Sequence, residues 1–182
     1  MAKQIAAAAA TVLLEEGMKE AISFFKGLDF TPDRAIGIKI YNGTTNTLHY
    51  EHSYFDSGSF EKNPPRKILP GESASCLVTN KSGGKFMRGV KGTFCYTMDN
   101  PKDKIVFYFN NPVDGRNKHY IQYYWDKHES TKWFYCNVGS QGAGHQCRHL
   151  INERLELMSD VSGGNHAAAA YVVKGHKDLK LR

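Results

Sequence analysis

Past Asp33 the apolar residues of this chain recur at every second position in short runs, a periodicity that favours half-buried β-strands. Ile36, Ile38 and Ile40 alternate ahead of an Asn42-Gly43 turn, and Leu48, Tyr50, His52 and Tyr54 alternate after it. Ala74–Val78, Thr93–Met98, Ile105–Phe109 and Tyr120–Trp125 follow, divided by clusters of Gly, Pro, Asn and Asp. Strands at such intervals predict a β-sandwich or barrel. Leu155–Met158 and Ala170–Val173 complete the sheets. Ala167–Ala170 has helical propensity, but the β-branched Val172-Val173 behind it favours a strand. His128–Asn137 is a short helix candidate.

The first thirty residues obey a different rule. Residues 3–27 are alanine-rich, proline-free and spaced as a helix, with Leu14, Met18, Ala21 and Phe25 on one face. Glu16, Lys19, Glu20, Ser23 and Lys26 occupy the other, Glu15 lies near its boundary, and Gly27 stands at the expected stop. A helix from Ile5 to Lys26 would be about 33 Å long at the α-helical rise. That is close to the ~30 Å hydrocarbon thickness of a bilayer. The 182 residues predict one domain, 1–182. It is mainly β: a β-sandwich over 31–182, flanked by an N-terminal amphipathic α-helix within 1–30 and a second short α-helix.

Charge and motifs narrow the function. Lys and Arg number 24 against 18 acidic residues, and all of the excess falls after residue 30. A basic body suits nucleic acid, an anionic membrane surface or acidic glycans, and equally suits plain solubility. The longest uncharged stretch near the N-terminus, Gln4–Leu14, is too short for the ~20 residues of a spanning helix. Lys3 and the alanine run could begin a signal peptide, but no convincing cleavage site precedes Glu15-Glu16. Four cysteines without C-x-x-C spacing leave disulfides open. No G-x-S-x-G, P-loop, H-E-x-x-H or kinase motif occurs, so neither catalysis nor a cofactor is expected. His145-x-Cys147-x-His149 puts three potential ligands on one strand face, but only the distant Cys136 offers a fourth, and no metal is expected.

Residues 116–135 concentrate the aromatics: Tyr120, Tyr123, Tyr124, Trp125, Trp133, Phe134 and Tyr135, among Arg116, Lys118, His119, Lys127, His128 and Lys132. Tyr and Trp with neighbouring cations suit a membrane–water interface. About half of these rings are expected in the core instead, and base stacking over a basic groove is a further reading.

An amphipathic helix, an all-β body and an aromatic-rich segment together resemble the actinoporins, the pore-forming cytolysins of cnidarian type. The resemblance runs from about Ile5 to Val173. It is carried by Ala35-Ile36-Gly37-Ile38, by Tyr54-Phe55-Asp56-Ser57-Gly58 and by Phe94, Tyr96 and Met98. Phe109-Asn110-Asn111-Pro112-Val113-Asp114 and Trp133-Phe134-Tyr135-Cys136-Asn137 continue it. The resemblance implies a sandwich that binds sphingomyelin or phosphocholine headgroups through Ser57, Asn110, Pro112, Phe134 and Tyr135. It also implies membrane-facing aromatics at Tyr120, Tyr123 and Trp125, and a helix that detaches, inserts and lines a self-assembled oligomeric pore. Glu15, Glu16, Lys19, Glu20, Ser23 and Lys26 would then face the lumen, and rings of carboxylates predict cation selectivity. The expected partners are membrane lipids and further copies of the chain, with no nucleic acid. The expected location is secretion followed by a target-cell membrane, with cytoplasmic storage as the other course. The chain departs from the pattern with Asp56 in place of a basic residue, Lys91 in place of a small apolar one, Arg116–His119 in place of a tryptophan-rich loop, and four cysteines. The alternative is a non-lytic lectin or lipid-binding module, because fungal fruit-body lectins share this sandwich.

Overall fold

The period-2 runs become two stacked sheets. The computed structural model describes residues 2–23, 25, 34–80, 89–126, 129–151 and 155–175. In chain order the elements are α1 (Ala2–Ser23), β1 (Ala35–Gly43), β2 (Leu48–Ser57), β3 (Ser59–Lys62), β4 (Lys67–Ile68) and β5 (Ser73–Thr79). There follow β6 (Val90–Thr97), β7 (Asp103–Asn111), β8 (Lys118–Trp125), α2 (Thr131–Gly139), β9 (Cys147–Ile151), β10 (Leu155–Val161) and β11 (His166–Gly175). One sheet has the order β3-β5-β1-β11-β10-β9, the other β4-β2-β6-β7-β8. This is the expected mainly β sandwich flanked by two helices.

The interior lies between the sheets. Ile36, Ile38 and Ile40 of β1 meet Phe94 and Tyr96 of β6, Phe107 and Phe109 of β7, and Tyr171 of β11. Phe94 stacks on Phe107 at 4.9 Å between ring centres, and Tyr171 meets Phe107 edge-on at 5.2 Å. At one end of the sandwich the buried Asn111 joins the sheets: its Nδ2 donates to the carbonyls of Ala35, at 3.0 Å, and Asn165, at 2.7 Å. The chain crosses between sheets at Gly58, whose φ of 85° suits glycine. A Cβ there would lie 2.9 Å from the Thr79 carbonyl oxygen.

The final strand runs parallel to the first, Ala35 opposite His166 and Tyr41 opposite Val172. A strand buried on both faces reads as a continuous apolar run. Ala167, Ala169, Tyr171 and Val173 face the interior, while Ala170 and Val172 face α1. That double burial explains why Ala167–Val173 shows no alternation. Leu14 packs on Met158, Ala170 and Val172, and Gly17 lies so close that a Cβ on it would sit 3.2 Å from the Ala170 Cβ.

The helical face expected from spacing is the packed one: Leu14 and Ala21 are buried and Met18 is half-buried. Phe25 follows the helix, stacked on His166 at 5.3 Å. Glu15, Glu16, Lys19, Glu20 and Ser23 are exposed, and Glu20 pairs with Lys39 of β1. Lys26 and Gly27 lie outside the described residues. Among the described residues, no helix is long and apolar enough to cross a membrane.

Two strands have no counterpart in the sequence reading, β3 and β4. Both are short, so little alternation marks them, whereas β9 alternates, with Arg148 and Leu150 exposed between Cys147, His149 and Ile151. The short helix starts three residues later than its sequence signature, because Ser130 caps it by accepting from the Trp133 amide. All four cysteines are free thiols.

His119 of β8 is fully buried, with Nε2 donating to the His145 carbonyl at 2.9 Å and Nδ1 buried without a partner. Burial lowers its pKa, outweighing that hydrogen bond and the Asp160 carboxylate; burial also lowers that of His149. Both rings are therefore neutral when folded, while in the unfolded chain they protonate near the ordinary ~6.5. Stability should be fully present above that pH and fall as pH drops from it toward the lowered native values. We expect Tm to be level between roughly pH 7 and 8 and to decline below about 6.5, less steeply in His119→Gln. Melting curves across that range check it, and an unchanged slope in the variant would remove His119 as a source.

Candidate functional site

Two β-bulges shape the outer face of the five-stranded sheet. In β2, Tyr50 pairs with Tyr96 but His52 with Cys95, and Phe55 pairs with Gly92 but Ser57 with Lys91. Each irregularity inserts one extra residue, Glu51 in the first and Asp56 in the second. Each extra residue is a carboxylate beside a lysine of another strand. Glu51 meets the buried Lys104 at 2.6 Å, and Asp56 meets Lys91 at 3.9 Å.

The Asp56 bulge anchors a polar and aromatic cluster. Register places Lys91 beside Asn110 and Asn110 beside Lys118, with Tyr54, Thr93, Tyr108 and Tyr120 forming the adjacent row. Helix α2 completes it. Phe134 and Val138 face the sheet, which turns Tyr135 to the side, 5.1 Å from Tyr54 and 6.1 Å from Tyr108 between ring centres. The Lys91 ammonium lies 5.0 Å from the centre of the Tyr135 ring. The pKa of Tyr135 is raised by burial first and by the neighbouring Asp56 carboxylate next. Burial likewise raises that of Tyr108, against the lowering effect of the Lys91 charge. The patch thus offers an anion, a cation, phenol hydroxyls and an amide on one half-exposed surface.

Of the residues expected to hold a headgroup, Ser57, Asn110 and Tyr135 are brought together around Lys91. Pro112 lies just past the end of β7, half-buried beside Gly89, where a Cβ would come 2.8 Å from the Pro112 Cα. Phe134 is corrected: it is 0% exposed, 4.8 Å from Tyr124 and 5.3 Å from Trp133 between ring centres, and it fixes α2 to the sheet. The same environment pushes Tyr124 up to about 12, through burial. Tyr54 and Tyr108 were not singled out for a site. They sit two residues before Asp56 and Asn110, the spacing that puts neighbours on one strand face.

The aromatics expected to face a membrane divide. Tyr120 is buried under the turn after α2, its hydroxyl donating to Gln141 and its ring 4.8 Å from His149. Tyr123 packs toward the interior and donates to Asp103. Trp125 alone of the three is exposed, at 60%, with Lys102 5.7 Å from its ring centre. Tyr120 is thus corrected to a buried position and Tyr123 to a half-buried one, each with its hydroxyl held by a neighbouring side chain.

The His145, Cys147 and His149 spacing builds no ligand set: the His145 carbonyl takes His119, Cys147 is buried in the cluster that holds Tyr108 and Tyr120, and His149 lies on Tyr120. Glu51, His52 and Cys95 bring ligand atoms within 4.8 Å of one another, but Lys104 already occupies the carboxylate. Burial raises the Cys95 pKa well above that of an ordinary thiol, with the Glu51 charge adding to it. A polar cleft of about 590 Å³ adjoins the far end of β7, between Arg34, Asp114, Arg116 and Asn165. None of the expected headgroup residues lines it.

No family model and no curated sequence matches the chain. Among solved structures it is similar to the lipid-binding protein Nakanori, with a TM-score of 0.73 at 14% identity, covering 88% of this chain and 80% of that one. It is also similar to the Xerocomus chrysenteron lectin, with a TM-score of 0.55 at 8% identity, covering 78% of this chain and 99% of that one. The shared feature is the fold. On it, the surface around Lys91 and Tyr135 combines charge, half-exposed aromatic rings and hydrogen-bonding groups.

Proposed function

We propose that this chain is an actinoporin-like protein that binds membrane-lipid headgroups through the Tyr54, Asp56, Lys91, Asn110 and Tyr135 surface. On contact it oligomerises and releases α1 to line a cation-selective pore. The observation that carries the binding reading is the half-exposed Tyr54–Tyr135 ring pair, with Lys91 and Asp56 against it. The likeness to a lipid-binding protein supports it. The pore reading is supported by the length of α1, about 33 Å for 22 residues, and by its exposed Glu15, Glu16, Lys19 and Glu20 stripe. Such a stripe must line water if the helix enters a bilayer.

The likeness to a lectin favours a second reading, a non-lytic lectin or lipid-binding module in which α1 stays on the sheet. Dye leakage from liposomes separates the two, since only helix release predicts leakage. For binding, Tyr135→Ala should weaken vesicle association about tenfold while Tm stays within a few degrees, because its ring lies at the surface. Unchanged association by the folded variant would remove this surface from the function.

A further inference from the structure

We propose that the Lys91 surface selects a phosphoethanolamine-type headgroup, a phosphate with a primary ammonium, over phosphocholine. This rests on the headgroup reading above and concerns which headgroup the surface takes. A quaternary ammonium has no N–H to donate and is held chiefly over aromatic faces. Here the protein's own ammonium is already on the Tyr135 ring, 5.0 Å from its centre. A second cation over that ring would meet the like charge of Lys91.

The partner of Lys91 supplies what a primary ammonium needs. Asp56 lies 3.9 Å from the Lys91 Nζ, with its side chain open to solvent. A carboxylate of this kind takes N–H donors, which ethanolamine has and choline lacks. At the other pole, Lys91 faces Asn110 across the β6–β7 ladder, so an ammonium and an amide stand together for phosphate oxygens. Side-chain exposures of 34% for Lys91 and 52% for Asp56 make the pair weak and readily opened. Opened, its two charges match the two charges of the zwitterion in reverse order. The bulge creates this arrangement, because without the extra residue the carboxylate would not be inserted beside Lys91.

The test uses the full chain and neutral zwitterionic vesicles, so that general attraction to the basic body cancels. Cosedimentation with phosphatidylcholine vesicles is compared with equimolar phosphatidylcholine–phosphatidylethanolamine vesicles. The wild-type chain should bind the second about tenfold tighter. Lys91→Val, which frees the Tyr135 ring and removes the phosphate cation, should reverse the preference, and Asp56→Asn should erase it. Both sites are half-exposed, and melting curves verify folding. NMR titration with soluble O-phosphoethanolamine and phosphocholine separates a lipid from a free metabolite as the source: shifts with the first alone, without vesicle binding, support the headgroup chemistry and assign it to the metabolite. Equal or tighter binding to phosphatidylcholine, or a Lys91→Val variant that loses both vesicles equally, overturns the proposal and leaves headgroup binding standing. No binding to any vesicle or soluble headgroup overturns the headgroup reading itself, and the proposal with it.

Discussion

A Gly17→Cys/Ala170→Cys variant, oxidised, should bind vesicles as the parent does and release no dye from them. A Cβ on Gly17 would be 3.2 Å from the Ala170 Cβ, slightly inside the ~3.5–4.5 Å of a disulfide, so a shift of a few tenths of an ångström closes the bond. The link ties α1 to β11 at the contact that must separate if the helix is to insert. Cys136, the exposed thiol, is replaced by serine to prevent mispairing, since the other three cysteines are buried. Dithiothreitol should restore leakage. Full leakage from the oxidised variant, with the bond verified by thiol counting, would end the insertion mechanism.

Phe94→Ala should be the most destabilising of the substitutions considered, by about 4 kcal/mol, lowering Tm by roughly 10 °C. The ring has no exposed surface and meets four others: Phe107 at 4.9 Å, Phe60 at 6.1 Å, and Tyr96 and Phe109 at 6.2 Å. Neighbours on two sheets cannot collapse into the space left behind, so a cavity cost adds to the lost transfer energy. Calorimetry checks it. Trp125→Ala, an exposed ring, is the comparison and should stay within about 0.5 kcal/mol of the parent. A Phe94 variant as stable as that one would show that the aromatic interior does not hold the sheets together.

The two alanine-rich segments show how far local pattern reaches. Residues 3–23 and 167–170 are similar in composition, yet one is helix and the other the doubly buried β11. The β-branched Val172 and Val173 marked the difference, and the sequence read it correctly. In the aromatic segment local pattern reached less far. Tyr120, Tyr123, Trp125, Phe134 and Tyr135 carry similar chemistry, but two pack in or under the sheet, one pins α2, one is solvent-exposed and one borders the Lys91 surface.

Sequence alone was enough for the strands with clean alternation, for the helix at the front, for the sandwich and for the residue types available at Asp56, Lys91 and Tyr135. These depend on a period of two or 3.6, which is a local property of the chain. Tertiary structure decided which faces were covered, where the bulges fell and which rings reached solvent. Alternation defines two faces of a strand without saying whether a helix or water lies over the outer one. Tyr120 is buried because the turn after α2 closes over it, and Asp56 reaches Lys91 because β2 carries one residue more than β6 across that stretch. Both depend on elements distant in the chain, and no window of sequence contains them.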